Sequence, residues 1–372
     1  MKSAPEPSIF SVMSKLAMDC NAINLAQGFP NFPIDPTLNR LISEASQQPV
    51  HQYAPYQGTF KLRHEIKKLI FNFSGAAVNE DEILITAGAT QAIYTAIQAL
   101  VSSQEEVVLL DPCYDCYETP VKIIGALPIR VELNENFQPD WDKIRAHVSM
   151  KTRLIIINSP HNPSGTAWDK AEYEKLEALL KDFPNLRVLS DEVYEYLTFD
   201  KTHYSVRDFS YLKARSVVVS SFGKSLQATG WKIGYLTAPQ DIMNEILGIH
   251  QFLVFSVNSI MQEGIANYLP QFDVAKIQEA YKQRKMFFQA ALKNSRFSLL
   301  PCHGTYFQTV GFDNISSMND VEFCKWLTKE KGVAAIPLSV FYHTKKDRKQ
   351  IRLCFAKDEQ TLKRSAELLC KI

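Results

Sequence analysis

The sequence predicts an α/β fold: a three-layer large domain on a mostly parallel sheet, with a smaller α+β domain after it. Three observations carry that expectation. Short apolar runs recur from about residue 80 to residue 236, helical patterns separate them, and the character of the chain changes after about residue 270. Strands covered on both faces read as continuous apolar runs rather than alternating ones. A chain of 372 residues also exceeds the usual single core, so two domains are expected.

The first 25 residues mix prolines with an amphipathic stretch from Ile9 to Met18, which reads as an arm and a helix packing with the smaller domain. Loops rich in Pro and Gly follow at 27–36 and 53–58. The strand candidates are Ile83-Leu84-Ile85-Thr86, Val107-Val108-Leu109-Leu110, Leu154-Ile155-Ile156-Ile157, Val188-Leu189-Ser190, Ser216-Val217-Val218-Val219-Ser220 and Ile233-Gly234-Tyr235-Leu236. A helical pattern from Thr90 to Val101 follows the first. Residues 26–270 are therefore assigned to the large domain. The small domain, 271–372, opens on a charged helix from about Val274 to Asn294. Short strands follow near 297–300, 306–310, 333–336 and 351–355, with helices near 320–331 and 358–370.

Composition narrows the function. Hydrophobic residues are 46% and charged residues 22%, with a formal net charge of +1. No basic stripe suggests nucleic acid, and Lys345-Lys346-Asp347-Arg348-Lys349 reads as a solvated loop. No run of about 18 apolar residues suggests a membrane span, and Met1-Lys2-Ser3-Ala4-Pro5-Glu6-Pro7 lacks the apolar centre of a secretory signal. Seven scattered cysteines argue for reduced thiols and a cytoplasmic setting. Cys113-Tyr114-Asp115-Cys116 has C-x-x-C spacing, but no thioredoxin-like context and no second ligand pair accompany it, so no metal is expected.

The chemistry-bearing residues sit just after the strand candidates, where ligands bind in open α/β sheets. Lys224, in Ser221-Phe222-Gly223-Lys224, is odd as core; a pocket lysine with a lowered pKa forms imines with carbonyls. Lys232 lies eight residues on. Asp191 ends an apolar strand, where a helix cap is the plainer reading and an anion for a protonated ring nitrogen the functional one. Tyr194 follows three residues later, and Asn162 sits in the turn Ser159-Pro160-His161-Asn162-Pro163. Ala87-Gly88-Ala89-Thr90-Gln91 joins a strand to a helix, and its N–H groups suit a phosphate.

Together these segments resemble the class I and II aminotransferases of fold type I. The likeness runs along essentially the whole chain, through Gln27-Gly28-Phe29-Pro30, Gln52-Tyr53-Ala54-Pro55, Ala87-Gly88-Ala89-Thr90, Asp111-Pro112-Cys113-Tyr114, Asn162-Pro163-Ser164-Gly165, Ser190-Asp191-Glu192-Val193-Tyr194, Ser221-Phe222-Gly223-Lys224 and Ile351-Arg352-Leu353. Within the family, Leu300-Pro301-Cys302, the segment 332–341 and Ile351-Arg352-Leu353-Cys354-Phe355-Ala356-Lys357 are most similar to the bacterial methionine aminotransferases, relatives of the kynurenine and glutamine transaminases.

The resemblance implies pyridoxal 5′-phosphate, held by Lys224 as a Schiff base, and ping-pong transfer between an amino acid and a 2-oxo acid. It implies that Asp191 keeps the ring nitrogen protonated, that Asn162 and Tyr194 bind the phenolic oxygen, and that Tyr114 stacks on the ring. Gly88, Ala89, Thr90, Ser221 and Lys232 would hold the phosphate. Arg352 would bind the substrate α-carboxylate with help from the Gly28 N–H and Asn162, and Phe29 would wall the side-chain pocket, although ordinary packing is its plainer reading. Tyr53 would reach the phosphate of a partner subunit, which makes a homodimer necessary. Two departures stand out: many members carry arginine where Lys232 stands, and the phosphate loop reads Gly-Ala-Thr. No second arginine is placed for a dicarboxylate, so a neutral thioether or aromatic donor is expected, methionine before others. A lyase acting on cysteine S-conjugates is the nearest rival. The aminotransferase-like domain of transcription regulators would need an upstream DNA-binding domain, and a nicotinamide dehydrogenase would need a G-x-G-x-x-G after a strand.

Overall fold

The computed structural model describes residues 8–372, so residues 1–7 of the expected N-terminal arm lie outside the described residues. Its strands are β1 (Ile23–Asn24), β2 (Ile83–Thr86), β3 (Glu106–Asp111), β4 (Leu127–Glu132), β5 (Thr152–Asn158), β6 (Arg187–Asp191), β7 (Ser216–Ser221), β8 (Gly234–Thr237), β9 (Ser298–Leu299), β10 (Phe307–Gly311), β11 (Val333–Ala334), β12 (Ile336–Pro337) and β13 (Gln350–Cys354). Seven of them form one sheet in the order β2-β8-β7-β6-β5-β3-β4. All its pairings are parallel except those of β8, which runs against both neighbours. The twelve residues from β7 to β8 turn back on themselves, so that Ser221 at the end of β7 pairs with Gly234 at the start of β8 and the two strands run antiparallel.

The apolar runs earn their continuity from both faces. Leu109, Ile156, Leu189, Val217 and Val219 pack with Ala92, Ile93, Ala96 and Ile97 of the helix Ala89–Leu100 and with Ile242 and Ile246 of the helix Gln240–Leu253. Their neighbours Val108, Leu110, Ile155, Ile157, Val188 and Val218 face the other way, onto Tyr173, Leu176 and Leu180 of the helix Lys170–Asp182. Each such side chain, fully buried, contributes roughly 1.5–3 kcal/mol. β4 is the strand that the apolar-run reading missed. It lies at the sheet edge, carries Pro128 and Arg130, and is mostly half-buried, so no apolar run marks it.

The sheet also fixes where a ligand goes. β3 has β4 on one side and β5 on the other, so the strand order reverses there and opens a crevice at the carboxyl ends.

Beyond the sheet, β12-β13-β10-β9 form an antiparallel sheet. The single strand expected at 333–336 is divided: β11 pairs in parallel with β1, whereas β12 joins β13. The helix Ile9–Asp19 packs on the helix Asp320–Lys331 and on β11, burying Met13 and Ala17 with Phe323 and Leu327.

Behind the β6 and β7 ends lies a buried ionic cluster. Glu192, Glu195 and His203 are close enough to one another to suit a metal, but Arg207 already pairs with both carboxylates. Ser190 and Ser205 donate to Glu192, and Ser220 and Tyr235 donate to Glu195. Removing one partner from a buried ion cluster leaves the others uncompensated. Arg207→Leu should therefore lower the unfolding free energy by about 3–5 kcal/mol in urea denaturation. A loss under about 1 kcal/mol would show that the cluster carries little of the stability.

Candidate active site

At the carboxyl ends of the parallel strands is a cavity of about 670 Å³. Gly28, Phe29, Gly88, Ala89, Thr90, Tyr114, Asn162, Asp191, Tyr194, Ser221, Lys224, Lys232 and Arg352 all line it. Tyr53 does not. It is 81% exposed and packs edge-on against Phe255, 5.1 Å between ring centroids.

The strand ends explain the convergence. Asp191 closes β6 beside Asn158, its register partner at the end of β5. The Asn158 amide donates to the Asp191 carbonyl at 2.8 Å, and its Oδ1 accepts from the Asn162 N–H at 2.7 Å. Asp191 Oδ2 accepts from the Tyr117 hydroxyl at 2.6 Å, and Oδ1 from the Val193 N–H at 3.3 Å. Burial pushes the Asp191 carboxyl up to about 6, against the pull of the Tyr117 hydrogen bond.

β7 runs into the one-turn helix Phe222–Ser225, which presents Lys224. Burial lowers its amine to about 8. The amine donates to the Tyr306 hydroxyl at 2.9 Å, and Tyr306 donates to the Gly28 carbonyl at 2.8 Å. Arg352 arrives on β13 and is 1% exposed. It donates to Asn162 Oδ1 at 2.6 Å and to the Ala26 carbonyl at 3.1 Å, its Nε has no partner, and its guanidinium lies 3.8 Å from the Phe307 ring centroid. Because Asn162 Oδ1 is taken by Arg352, the Asn162 amide N–H groups remain free to donate into the cavity.

A third cradle is built from backbone. The helix Ala89–Leu100 is capped by Gly88 at φ 78°, with no side chain bonding its first N–H groups. A Cβ on Gly88 would stand 3.2 Å from the Lys232 amine. Ser221 and Thr229 line the same corner. Free N–H groups, a positive helix end and an amine make an anion site.

Tyr117, Asn158 and Tyr306 escaped the motif reading. Asn158 had a signal, a polar residue ending an apolar strand just as Asp191 ends the next. Tyr117 and Tyr306 had none, because their roles follow from packing across 74 and 278 residues of chain.

With this geometry in place the comparisons are informative. The chain matches the sequence profile of the family Aminotransferase class I and II over residues 21–369. The chain belongs to the class I and II aminotransferases. A methionine aminotransferase of Escherichia coli (strain K12) is 44% identical over 97% of this aminotransferase and 95% of that protein. A solved Escherichia coli structure, reported with a methionine aminotransferase function, superposes with TM-score 0.96 at 42% identity, covering 100% and 98% of the two chains. The N-succinyldiaminopimelate aminotransferase of Mycobacterium tuberculosis gives TM-score 0.93 at 32% identity, covering 98% and 97%. The fold is thus fold type I, and the cofactor of this aminotransferase is pyridoxal 5′-phosphate. The cavity fits that group. The Gly88 cradle offers donors to a phosphate, Asp191 is a buried carboxylate without an ion-pair partner among the described residues, and Lys224 offers an amine.

The loop carrying Asn162 is braced by His161, whose ring bonds the Pro112 carbonyl at 2.9 Å and Ser164 Oγ at 2.7 Å. Burial depresses this imidazole to about 4. Between about pH 6.5 and that value the unfolded chain binds a proton that native His161 refuses, so its contribution to stability falls as pH falls. The gap in Tm between the native sequence and His161→Gln should narrow from about pH 7 to about pH 5, measured by calorimetry. A constant gap would remove His161 from the acid limb.

Proposed function

We propose that this aminotransferase moves the amino group of a neutral thioether or aromatic amino acid, methionine before others, to a 2-oxo acid in two half-reactions. One observation carries the reading: the Lys224 amine, the Asp191 carboxylate and the Arg352 guanidinium face one cavity, and none has an ion-pair partner among the described residues. Buried charges are normally paired, so the arrangement suits a substrate anion and a cationic ring.

When bound, pyridoxal 5′-phosphate supplies an electron sink for the pair left at the substrate Cα. The chain supplies the rest. Lys224 would hold the cofactor, and its free amine would take the Cα proton. Asp191 would favour the protonated form of the ring nitrogen. The Asn162 amide and the Tyr194 hydroxyl would serve the phenolic oxygen, and Tyr114 would pack on the ring. Gly88, Ala89, Thr90, Ser221 and Lys232 hold the phosphate. Arg352 grips the α-carboxylate through its free N–H groups, supported by the Gly28 N–H and Asn162.

Donor choice rests on the walls. Phe10, Phe29, Tyr114 and Phe307 line the cavity, and Arg352 is its one arginine among the described residues. Arg130 is engaged by Asp111, and Arg145 pairs with Asp182. An apolar aromatic wall suits a thioether, whose sulfur is favoured near ring edges. The methionine aminotransferase among the relatives supports the same choice.

We further propose a homodimer that completes the site, with Tyr53 reaching the phosphate of the partner subunit. Tyr53 packs on Phe255, and both are exposed, as are Tyr56, Ile249, Leu253 and Phe252, the last at 86%. Large apolar side chains left exposed together suit an interface. We read residues 26–270 as the large domain and 271–372 as the small one, and place the enzyme in the cytoplasm on its seven free cysteines. No described helix is long and apolar enough to cross a membrane.

The test is a panel of amino donors mixed with the purified protein, following the cofactor's absorbance in single half-reactions. Methionine should react faster than aspartate, and Lys224→Ala should lose turnover by at least about 1,000-fold. Substantial transamination by that variant would overturn the assignment, and pyruvate with free thiol from S-conjugates would instead point to elimination. Sedimentation should report a dimer, and Phe252→Asp with Phe255→Asp should yield monomers that bind cofactor more weakly.

A further inference from the structure

The Tyr306 hydroxyl touches the reacting atom of Lys224 and a backbone carbonyl of the cavity mouth together, and neither the motifs nor the roles above use it. We propose that Tyr306 is the positioning residue for Lys224: its hydroxyl holds the lysine amine whenever that amine is not bonded to the cofactor, and ties it to the Gly28 segment. The proposal rests on the reading of Lys224 as the cofactor's lysine.

The hydrogen-bond polarity is set by burial. Tyr306 is 0% exposed, and burial holds its phenol well above the usual range. The proton therefore stays on oxygen and goes to the Gly28 carbonyl at 2.8 Å, leaving a lone pair for the Lys224 amine at 2.9 Å. The ring cannot carry this hydroxyl elsewhere. Tyr194 and Phe307 meet it edge-on at 5.3 and 4.8 Å, and Tyr281 stacks at 6.1 Å. Gly28 confirms how close the approach is: a Cβ there would stand 2.6 Å from Phe307 Cζ and 3.1 Å from Tyr306 Cε2. The Lys224 amine makes no other hydrogen bond among the described residues. A lysine carries four carbons of rotatable stem, so an amine without this partner would sample many positions between leaving the cofactor and returning to it. One fixed acceptor removes that search.

The experiment compares cofactor-free native enzyme, Tyr306→Phe and Lys224→Ala. The first readout is the pH dependence of Lys224 labelling by an amine reagent, read at that residue by mass spectrometry. An oxygen acceptor favours the ammonium form, so its loss should raise the Lys224 proton-dissociation constant by about tenfold. The second is the rate of covalent capture of added pyridoxal 5′-phosphate, at a pH where the amine is neutral in both proteins, which should fall by about tenfold in Tyr306→Phe. Unchanged titration and unchanged capture in Tyr306→Phe, with no covalent capture by Lys224→Ala, would overturn the role of Tyr306 alone. Covalent capture by Lys224→Ala would overturn the reading of Lys224 beneath it. Should Tyr306→Phe not fold, 3-fluorotyrosine at position 306 keeps the shape with a weaker acceptor. A smaller shift in the same direction is then expected, and no shift would overturn the proposal.

Discussion

Holding a charge away from water without a partner costs several kcal/mol, and this chain does so at three points around one cavity. Asp191, Lys224 and Arg352 are each brought there by a strand end or strand that the hydrophobic core fixes in place. The core on both faces of the large sheet supplies the rigidity. The sheet's edge-to-edge register then sets Asn158 beside Asp191, and Asn158 in turn aims the Asn162 loop at Arg352. The polar side chains of the site form one connected network whose unsatisfied ends point inward.

That network also binds distant parts of the chain to one another. Gly28 and Ala26, near the start, accept hydrogen bonds from Tyr306 and Arg352, near the end. The Lys357 amine donates to the Phe29 carbonyl at 2.8 Å and lies 4.3 Å from its ring centroid. The Cys113 N–H reaches the Phe341 carbonyl, and the His343 N–H reaches Asp111, so the loop of Tyr114 is pinned to the C-terminal segment. The walls of the cavity are thus held from behind by bonds that never touch its contents.

Much of this was legible in the residues alone. The continuous apolar runs foretold the buried parallel strands because period and composition report coverage on both faces. The charged or polar residue after each run foretold where the site would open. What stayed hidden has physical reasons. The edge strand Leu127–Glu132 has no apolar run because it buries little. The segment 333–337 divides between two sheets because partners, not propensity, decide strand membership. Tyr306 and Tyr117 act through contacts that exist only after the chain has closed. Tyr53 sits outside the cavity, exposed and packed on Phe255.

The reversed direction of β8 has a consequence for how the site tolerates change. Ser221 at the end of β7 faces Gly234 at the start of β8, so the twelve residues between them turn within a single corner and carry both Lys224 and Lys232. Two amines that line one cavity therefore share a short tether. Length variation in this corner would displace both at once.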